Sequence, residues 1–496
     1  MRRRWRWVIR TAGILAVTVG SVQVGQAQFI ALKTVPVASG DQFLLFPSQN
    51  LGMGGVSIAL DDPVLDPFVN PAKGARIGEP QLFTVPTFYS VTRNAGSAGA
   101  LSVGGLFGGR VFGGGMVALQ QLKRGDEFFG PLPLDVAFPL PPNALRSRSA
   151  TNKYGFLTGG VKLPGDLAIG ASGFFADLNA IDGVEHLYAM ASSIVQAGHM
   201  EDLRVGLTKG LGGGRTLEAL GLYRNFDMRH DVVYVDWILV DTTNWVWQDS
   251  VREEHNKDHT RTWGGQVAYR QPVGTRGWRV GGSLTGNWKT HPKIPNYEIM
   301  NIPRDPGTST AFSIGVGIAK QAGPTTFGID IVYEPGSSTT WAEADTAVTT
   351  ESGGTIPAGG RTVDNEFGFS NAAMTMGVTR EVGKAAFSFG LNVRTYDYQL
   401  DQWDHVAETF RRQNEQWIEW TPSWGALLRF GDLELRYLGR ATTGTGRPGV
   451  AWTGDVATRA DAAAGANDIL LAPSGPLTLQ DVTVVTHQLS ISIPIR

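Results

Sequence analysis

The chain contains no cysteine. That excludes a disulfide framework, a thiolate metal centre and a cysteine nucleophile. Long apolar runs are missing too: Ala12 to Val19 falls well short of the ~20 residues a transmembrane helix needs, and no later stretch approaches that length. Any membrane crossing must therefore be made by strands, since only helices and closed barrels satisfy every backbone group in lipid. Charge is sparse at 18%, with 43 basic against 45 acidic side chains and no basic stripe. Nucleic acid is excluded as a partner on that ground.

Glycine is abundant, at 64 residues, and is joined by 14 tryptophans. Without a collagen period or a low-complexity tract, this much glycine predicts many tight turns and crowded strand faces. The first 27 residues read as a cleavable export signal. Arg2, Arg3, Arg4, Arg6 and Arg10 form a basic region, Ala12 to Val19 an apolar core, and Gly25-Gln26-Ala27 a small-residue cleavage site. The residues after Arg3-Arg4 do not support a twin-arginine signal. Setting those five arginines aside leaves 38 basic against 45 acidic side chains, a modestly acidic mature chain.

Period-two alternation recurs from residue 82 onward. Trp278, Val280, Leu284 and Trp288 share one face, and Arg279, Ser283, Thr285 and Asn287 the other. Phe387, Phe389, Leu391 and Val393 alternate with Ser388, Gly390, Asn392 and Arg394. Leu489, Ile491, Ile493 and Ile495 alternate with Gln488, Ser490 and Ser492. Lipid on one side and a polar lumen on the other would produce this pattern. Tight glycine turns are predicted at Gly108-Gly109, Pro164 to Asp166, Gly212 to Gly214, Gly274 to Gly277, Ala322 to Pro324, Val382 to Lys384 and Gly431-Asp432. Longer links are predicted near 123–150, 178–198, 230–258, 290–308, 335–362, 400–412 and 442–480. Alternating short and long connections suit a membrane barrel. Trp237, Trp245, Trp247, Trp263, Trp288, Trp403, Trp417, Trp420 and Trp424 are expected near strand ends, as interfacial girdles. A soluble sandwich would also alternate, but no linker divides the chain, and a propeller would show a repeat that is absent.

The stretch from Asn50 to Ala72 is too rich in glycine, proline and aspartate for a long helix, yet apolar residues thread it throughout. A compact irregular segment packed inside something else fits that mix. Gly52, Gly54 and Gly55 permit close approaches and unusual backbone angles. Asp61 and Asp62 are placed to accept backbone N–H groups, and Pro63, Pro67 and Pro71 stiffen the path. The Gly-Met-Gly-Gly run, the Asp-Asp pair and the Asn-Pro-Ala triplet resemble the start of the FadL-like outer-membrane proteins and their PorV-type relatives. The resemblance rests on Gly52, Met53, Gly54, Gly55, Asp61, Asp62, Asn70, Pro71 and Ala72.

The resemblance implies an all-β protein: a transmembrane antiparallel barrel with an N-terminal hatch in its lumen. It divides the chain into a signal at 1–27, a hatch at 28–81 and a barrel at 82–496. A strict reading of the alternation finds about 16 strands, whereas the family implies about 14, with short glycine strands near 97–115 merging. The expectation is 14, with 16 left open. An outer-membrane location follows, with membrane lipid and the barrel-assembly machinery as partners. The chain ends Ile493-Pro494-Ile495-Arg496, without the terminal aromatic residue of many such barrels.

Two functions from different classes are compatible with the motif. One is a channel carrying hydrophobic, fatty-acid-like molecules across the outer membrane. The other is a PorV-like component that engages secreted proteins and passes no small molecule. The loop from Lys123 to Arg148 is strongly apolar at Phe128, Phe129, Leu132, Leu134, Phe138 and Leu140. The family assigns such a loop to an apolar groove that catches the ligand. Packing of that loop against the rim or hatch is the other reading.

Catalytic residues are not expected, since no Gly-x-Ser-x-Gly elbow or histidine-nucleophile pairing occurs. His230, His255 and His259 fall in one expected charged loop, without a helical pattern to hold zinc. Asp61, Asp62 and Asp66 lack calcium-loop spacing. No cofactor and no metal are expected.

Overall fold

The computed structural model describes residues 29–34, 36, 38–125, 149–187, 191–241, 246–291, 307–344, 346–448 and 479–495. The signal region and the apolar residues Phe128, Phe129, Leu132, Leu134, Phe138 and Leu140 lie outside them. Eighteen strands follow the amino-terminal segment. They are β1 (Gln81–Val91), β2 (Gly96–Phe107), β3 (Val111–Arg124), β4 (Ser149–Leu163), β5 (Leu167–Leu178) and β6 (Ser193–Gly210). Next come β7 (Thr216–Asp241), β8 (Val246–Val273), β9 (Trp278–His291), β10 (Gly307–Ala322) and β11 (Thr325–Glu343). A two-residue hairpin, β12 (Val348–Thr349) and β13 (Thr355–Ile356), sits apart. The chain finishes with β14 (Arg361–Val382), β15 (Ala385–Asp404), β16 (Thr409–Phe430), β17 (Leu433–Pro448) and β18 (Leu479–Pro494).

Without that hairpin, sixteen strands form one closed antiparallel barrel, sealed where β1 pairs with β18. The expected count of 14 is corrected to 16. Its cause is local: β2 and β3 do not merge, because the chain reverses at Gly108-Gly109, with Gly109 at φ 144°. All seven predicted glycine turns connect strands at one end of the barrel.

The opposite end differs from expectation at three links, one of them 335–362, where β11 continues paired with β14 as far as Glu343. Residues 230–258 are not a loop. β7 and β8 continue through them as a paired hairpin, with Asp231 opposite His255. β8 gains its second neighbour only from Arg261, opposite Thr290 of β9. β7 keeps β6 as a neighbour up to Val233, and beyond that point the hairpin extends as two paired strands. Likewise 400–412 is no long link, since β15 and β16 pair out to Asp404 and Thr409.

Side chains alternate sharply across the wall. Val117 is 67% exposed while Ala118 beside it is 4% exposed. Leu101, Leu157, Val205, Leu284, Ile314 and Phe389 are among many large apolar side chains left outside. So continuous an apolar face suits hydrocarbon, not water. Phe107, Phe387 and Phe430 mark its short-turn side, and Phe88, Trp263, Trp288 and Phe312 the other. Trp420 also faces out, but Trp417 corrects the girdle expectation. It turns inward and stacks on Tyr396, with ring centroids 4.9 Å apart.

Candidate functional site

The amino-terminal segment runs inside this wall, contacting the inward-facing residues of nearly every strand. It starts beside β9, where Ile30 N–H donates to Asn287 Oδ1 (2.7 Å) and Lys289 Nζ donates to the Ile30 carbonyl (2.9 Å), while the Ile30 and Leu32 side chains pack on Phe367, Phe369, Tyr398 and Leu400. Lys33 pairs with Glu419 at 2.9 Å. The chain then crosses to β17, where residues 36–38 exchange backbone hydrogen bonds with Gly446. Asp41 meets Arg440 and Thr486, and Gln42 bonds to Gln120 and to the loop carbonyl of Ala180.

From Phe43 the segment descends an apolar wall built by β1 to β7. Phe43, Leu45, Phe46 and Phe68 pack there against Phe83, Met116, Tyr154, Phe156, Phe174, Met200 and Met228. The Phe46 ring lies tilted against Phe68 at 4.5 Å and edge-on to Phe156 at 5.2 Å, and Phe68 lies edge-on to Phe83 at 5.7 Å. This lining reaches from Ile194 and Val232 in the half near the long connections to Phe83 and Leu106 near the short turns. The facing wall is mixed: Asn287, Ser309, Asp330, Ser338, Asn371, Ser423 and Gln488 are buried there, and Phe367, Phe369, Tyr398 and Leu400 form a second apolar cluster with Ile30 and Leu32. The larger apolar cluster of the lumen thus lies along β1 to β7, and a smaller one along β14 and β15.

The motif residues form the lower part of the segment. Leu51–Met53 make one 3₁₀ turn, and Gly54 (φ 77°) and Gly55 (φ 92°) then take left-handed angles that favour glycine. Gly54 N–H donates to Ser423 Oγ at 2.9 Å. A collar of strand glycines admits this backbone. A Cβ on Gly377 would sit 2.3 Å from the Met53 carbonyl oxygen, and one on Gly390 2.1 Å from Gly54 N. Gly425 meets Gly52, Gly281 and Gly317 meet Ile58, and Gly170 and Gly206 meet Pro71 and Asn70. Each lies nearer the short turns than the middle of its strand.

The two aspartates divide their work. Asp62, buried, accepts from the N–H groups of Gln49, Asn50, Val64 and Leu65 and from Ser48 Oγ, as expected for a turn-holding carboxylate. Asp61 corrects the expectation by reaching basic side chains instead. It sits 2.6 Å from Arg270, 2.7 Å from Arg76, 3.5 Å from Arg279 and 3.7 Å from Lys73. Lys73 also meets Asp66 (2.8 Å) and Glu218 (3.3 Å). Burial would raise the Asp61 carboxyl, but Arg270, Lys73, Arg76 and Arg279 outweigh it and hold it well below the usual range. Burial dominates at Asp66 and pushes it up to about 6, against the pull of Lys73 and Arg270. Asn70 Oδ1 accepts from Ala72 N–H and caps the 3₁₀ helix Pro71–Arg76. Pro71 and Ala72 are buried in it against Gly170.

Asp330, Arg270 and Glu218 were not singled out by sequence, and Asn287 and Gln488 only as members of polar strand faces, yet all five grip the segment. Asp330 Oδ2 accepts from Ser57 and Ile58 N–H at 2.7 and 2.9 Å. Their signal was present as charged or amide residues at inward positions of alternating strands. The three histidines lie on β7 and β8, not in a loop. His255 bonds Asp231, His259 lies 3.8 Å from Asp227 and His230 is buried. Among the described residues, no three His, Asp or Glu side chains converge as a metal site.

No family model matches the chain, and no curated protein matches it. Solved structures do. The Ralstonia pickettii toluene transporter TbuX is similar over 90% of this chain and 97% of its own, at 11% identity and a TM-score of 0.40. A Pseudomonas aeruginosa FadL homologue is similar over 92% and 100%, at 11% identity and 0.44. The P. putida toluene transporter TodX is similar over 90% and 98%, at 10% identity and 0.40.

Proposed function

We propose that this barrel is an outer-membrane channel for hydrophobic small molecules of the fatty-acid type, with residues 28–81 as its movable plug and 82–496 as its wall. The carrying observation is the apolar lining of β1 to β7, which runs most of the length of the lumen under Phe43, Phe46 and Phe68. A lumen that passed water and ions alone would have no use for it. An apolar solute crossing a polar saccharide leaflet needs a sheltered apolar path, and apolar burial supplies the driving force. The plug's own aromatic rings hold that path closed. When the plug shifts, the rings leave and a solute replaces their contacts. An apolar lining inside the barrel favours passage of a solute over docking of a secreted protein at the rim.

The test uses the absence of native cysteine. A Cβ on Gly52 would lie 2.2 Å from Ser388 Oγ, so Gly52→Cys with Ser388→Cys places two thiols within bonding reach. In liposomes, wild-type protein speeds uptake of a labelled fatty acid. The oxidised double variant does not, and a reductant restores it. Equal uptake with and without protein rejects a transport role. Uptake unchanged by oxidation rejects plug movement alone.

A further inference from the structure

The smaller apolar cluster lies in the half of the barrel near the long connections. The two-residue period of β14 and β15 turns Phe367, Phe369, Tyr398 and Leu400 inward, while Asp397 and Gln399 between them face out. Ile30 and Leu32 of the amino-terminal segment pack into this cluster, and Trp417 of β16 closes one side. The Tyr398 ring lies 5.6 Å from Phe367, 6.0 Å from Phe369 and 6.5 Å from Trp417, edge-on to the last.

Two hydrogen-bond donors in this apolar setting have no partner. Tyr398 is 1% exposed and its hydroxyl makes no hydrogen bond. Trp417 Nε1, also out of solvent, makes none either. Buried tyrosine and tryptophan ordinarily find a partner for their polar atom, because an unmet donor in an apolar site is unfavourable. Phenylalanine at either position would fill space without that cost. The charges beside the cluster are matched, Lys33 with Glu419 and Arg394 with Glu334, both at 2.9 Å. An incoming molecule therefore meets two neutral donors beside matched charges.

We propose that this cluster is a second ligand subsite of the lumen, taking an uncharged hydrophobic molecule whose polar end is a carbonyl oxygen. Such an oxygen has two lone pairs and accepts two hydrogen bonds, one from the Tyr398 hydroxyl and one from Trp417 Nε1. The alkyl part takes the places of Ile30 and Leu32 against Phe367, Phe369 and Leu400. The inference rests on the reading of the barrel as a channel with a movable segment, since those two side chains must withdraw first. It adds a preference for the head group. A carboxylate would have to compete for cations that already have partners, and a hydrocarbon would leave both donors unmet.

The test uses the full chain in detergent with two tritiated probes of equal chain length, methyl nonyl ketone and undecane. After detergent partition is subtracted, the wild-type chain is expected to retain the ketone about tenfold more strongly than the alkane, the scale that two hydrogen bonds supply. Tyr398→Phe with Trp417→Phe keeps aromatic rings in place and should bring the two probes level. Tyr437→Phe, whose hydroxyl meets His487 on the outer face, keeps the preference. The carbonyl stretching band of the bound ketone, lowered by hydrogen bonding in the wild type, should return in the double variant towards its position in hydrocarbon. Equal retention of ketone and alkane by the wild-type chain overturns the proposal. So does a preference that survives in the double variant, and water then satisfies the two donors. Where the double variant does not fold, Tyr398→Phe alone, which removes one oxygen atom, must lose part of the preference, and an unchanged preference overturns the proposal. Labelled fatty acid uptake into liposomes separates the two readings. Uptake without a head-group preference defeats this subsite alone, whereas no uptake by the wild-type chain defeats the channel and the subsite together.

Discussion

Arg270 of β8 places its Nη1 2.6 Å from Asp61 Oδ1 and 2.9 Å from Glu218 Oε1, while its Nε donates to the Ile58 carbonyl. One guanidinium thus joins the wall to the amino-terminal segment through side chain and backbone at once. Its planar fork of donors suits this, where a lysine would offer a point charge.

Arg270→Ala leaves Asp61, Glu218 and the Ile58 carbonyl short of a partner. Breaking a buried pair on one side costs about 3–5 kcal/mol. The expected outcome is a segment cut faster by added protease, while the barrel keeps its heat-modifiable gel migration. Equal protease rates for variant and wild type would show that the latch does not hold the segment.

The glycine collar makes a second claim. Gly377→Val or Gly390→Val drives a side chain into Met53 and Gly54, where a Cβ alone would already sit within 2.3 Å of backbone. The barrel strands remain and the segment is displaced. Conductance across a planar bilayer should rise for both variants. Gly368→Ala, whose Cβ meets nothing within 4 Å, should conduct as wild type does.

Phe46 and Phe68 test the apolar wall itself. Replacing a buried phenylalanine by alanine costs about 3–5 kcal/mol, through lost transfer energy and the cavity left behind. Phe46→Ala with Phe68→Ala should speed labelled fatty acid uptake into liposomes, because the closed state loses stability while the lining on β1 to β7 survives. Slower uptake would assign these rings to the open path instead.

Asp66 gives a pH signature of known sign. Its carboxyl is raised by burial from an ordinary 3.8 to about 6, so the folded chain holds this proton more tightly than the unfolded one. This contribution is present in full below about pH 4 and is lost as pH rises through about 6. Asp61, held low, contributes in the opposite sense and keeps its stabilisation until far more acidic pH. Protease resistance of the segment, followed from pH 4 to 7, should carry a downward component with rising pH that Asp66→Asn removes. An unchanged profile in Asp66→Asn would place the titration elsewhere.

Much of the wall was legible along the chain. Arg279, Ser283, Thr285 and Asn287 alternate with Val280, Leu284 and Trp288, and the barrel turns the first set in and the second out. Gly165, Gly212, Gly274, Gly323, Gly383 and Gly431 mark turns because each takes a positive φ. The charged stretch around His255 misled, since alternating charge reads as a solvated loop whether or not a hairpin carries it into water. Asp61 and Asp62 looked alike in sequence. Arg270 and Arg279 of the wall, with Arg76 and Lys73 of the segment itself, made one an ion-pair centre, while backbone N–H groups of the segment made the other a turn holder.

The alternation and the turn glycines by themselves determined that strands would form, which face of each would meet hydrocarbon, and where short reversals would fall. These are local properties, set within one strand by the two-residue period and within one turn by backbone angles. The strict alternation also gave the sixteen strands of the closed sheet, where the family resemblance had implied 14; tertiary structure alone decided the contacts of the amino-terminal segment. Closure brings together residues as far apart as Asp41 and Thr486 or Ile30 and Asn287. Register between distant strands, a cooperative property of the whole ring, selects those partners.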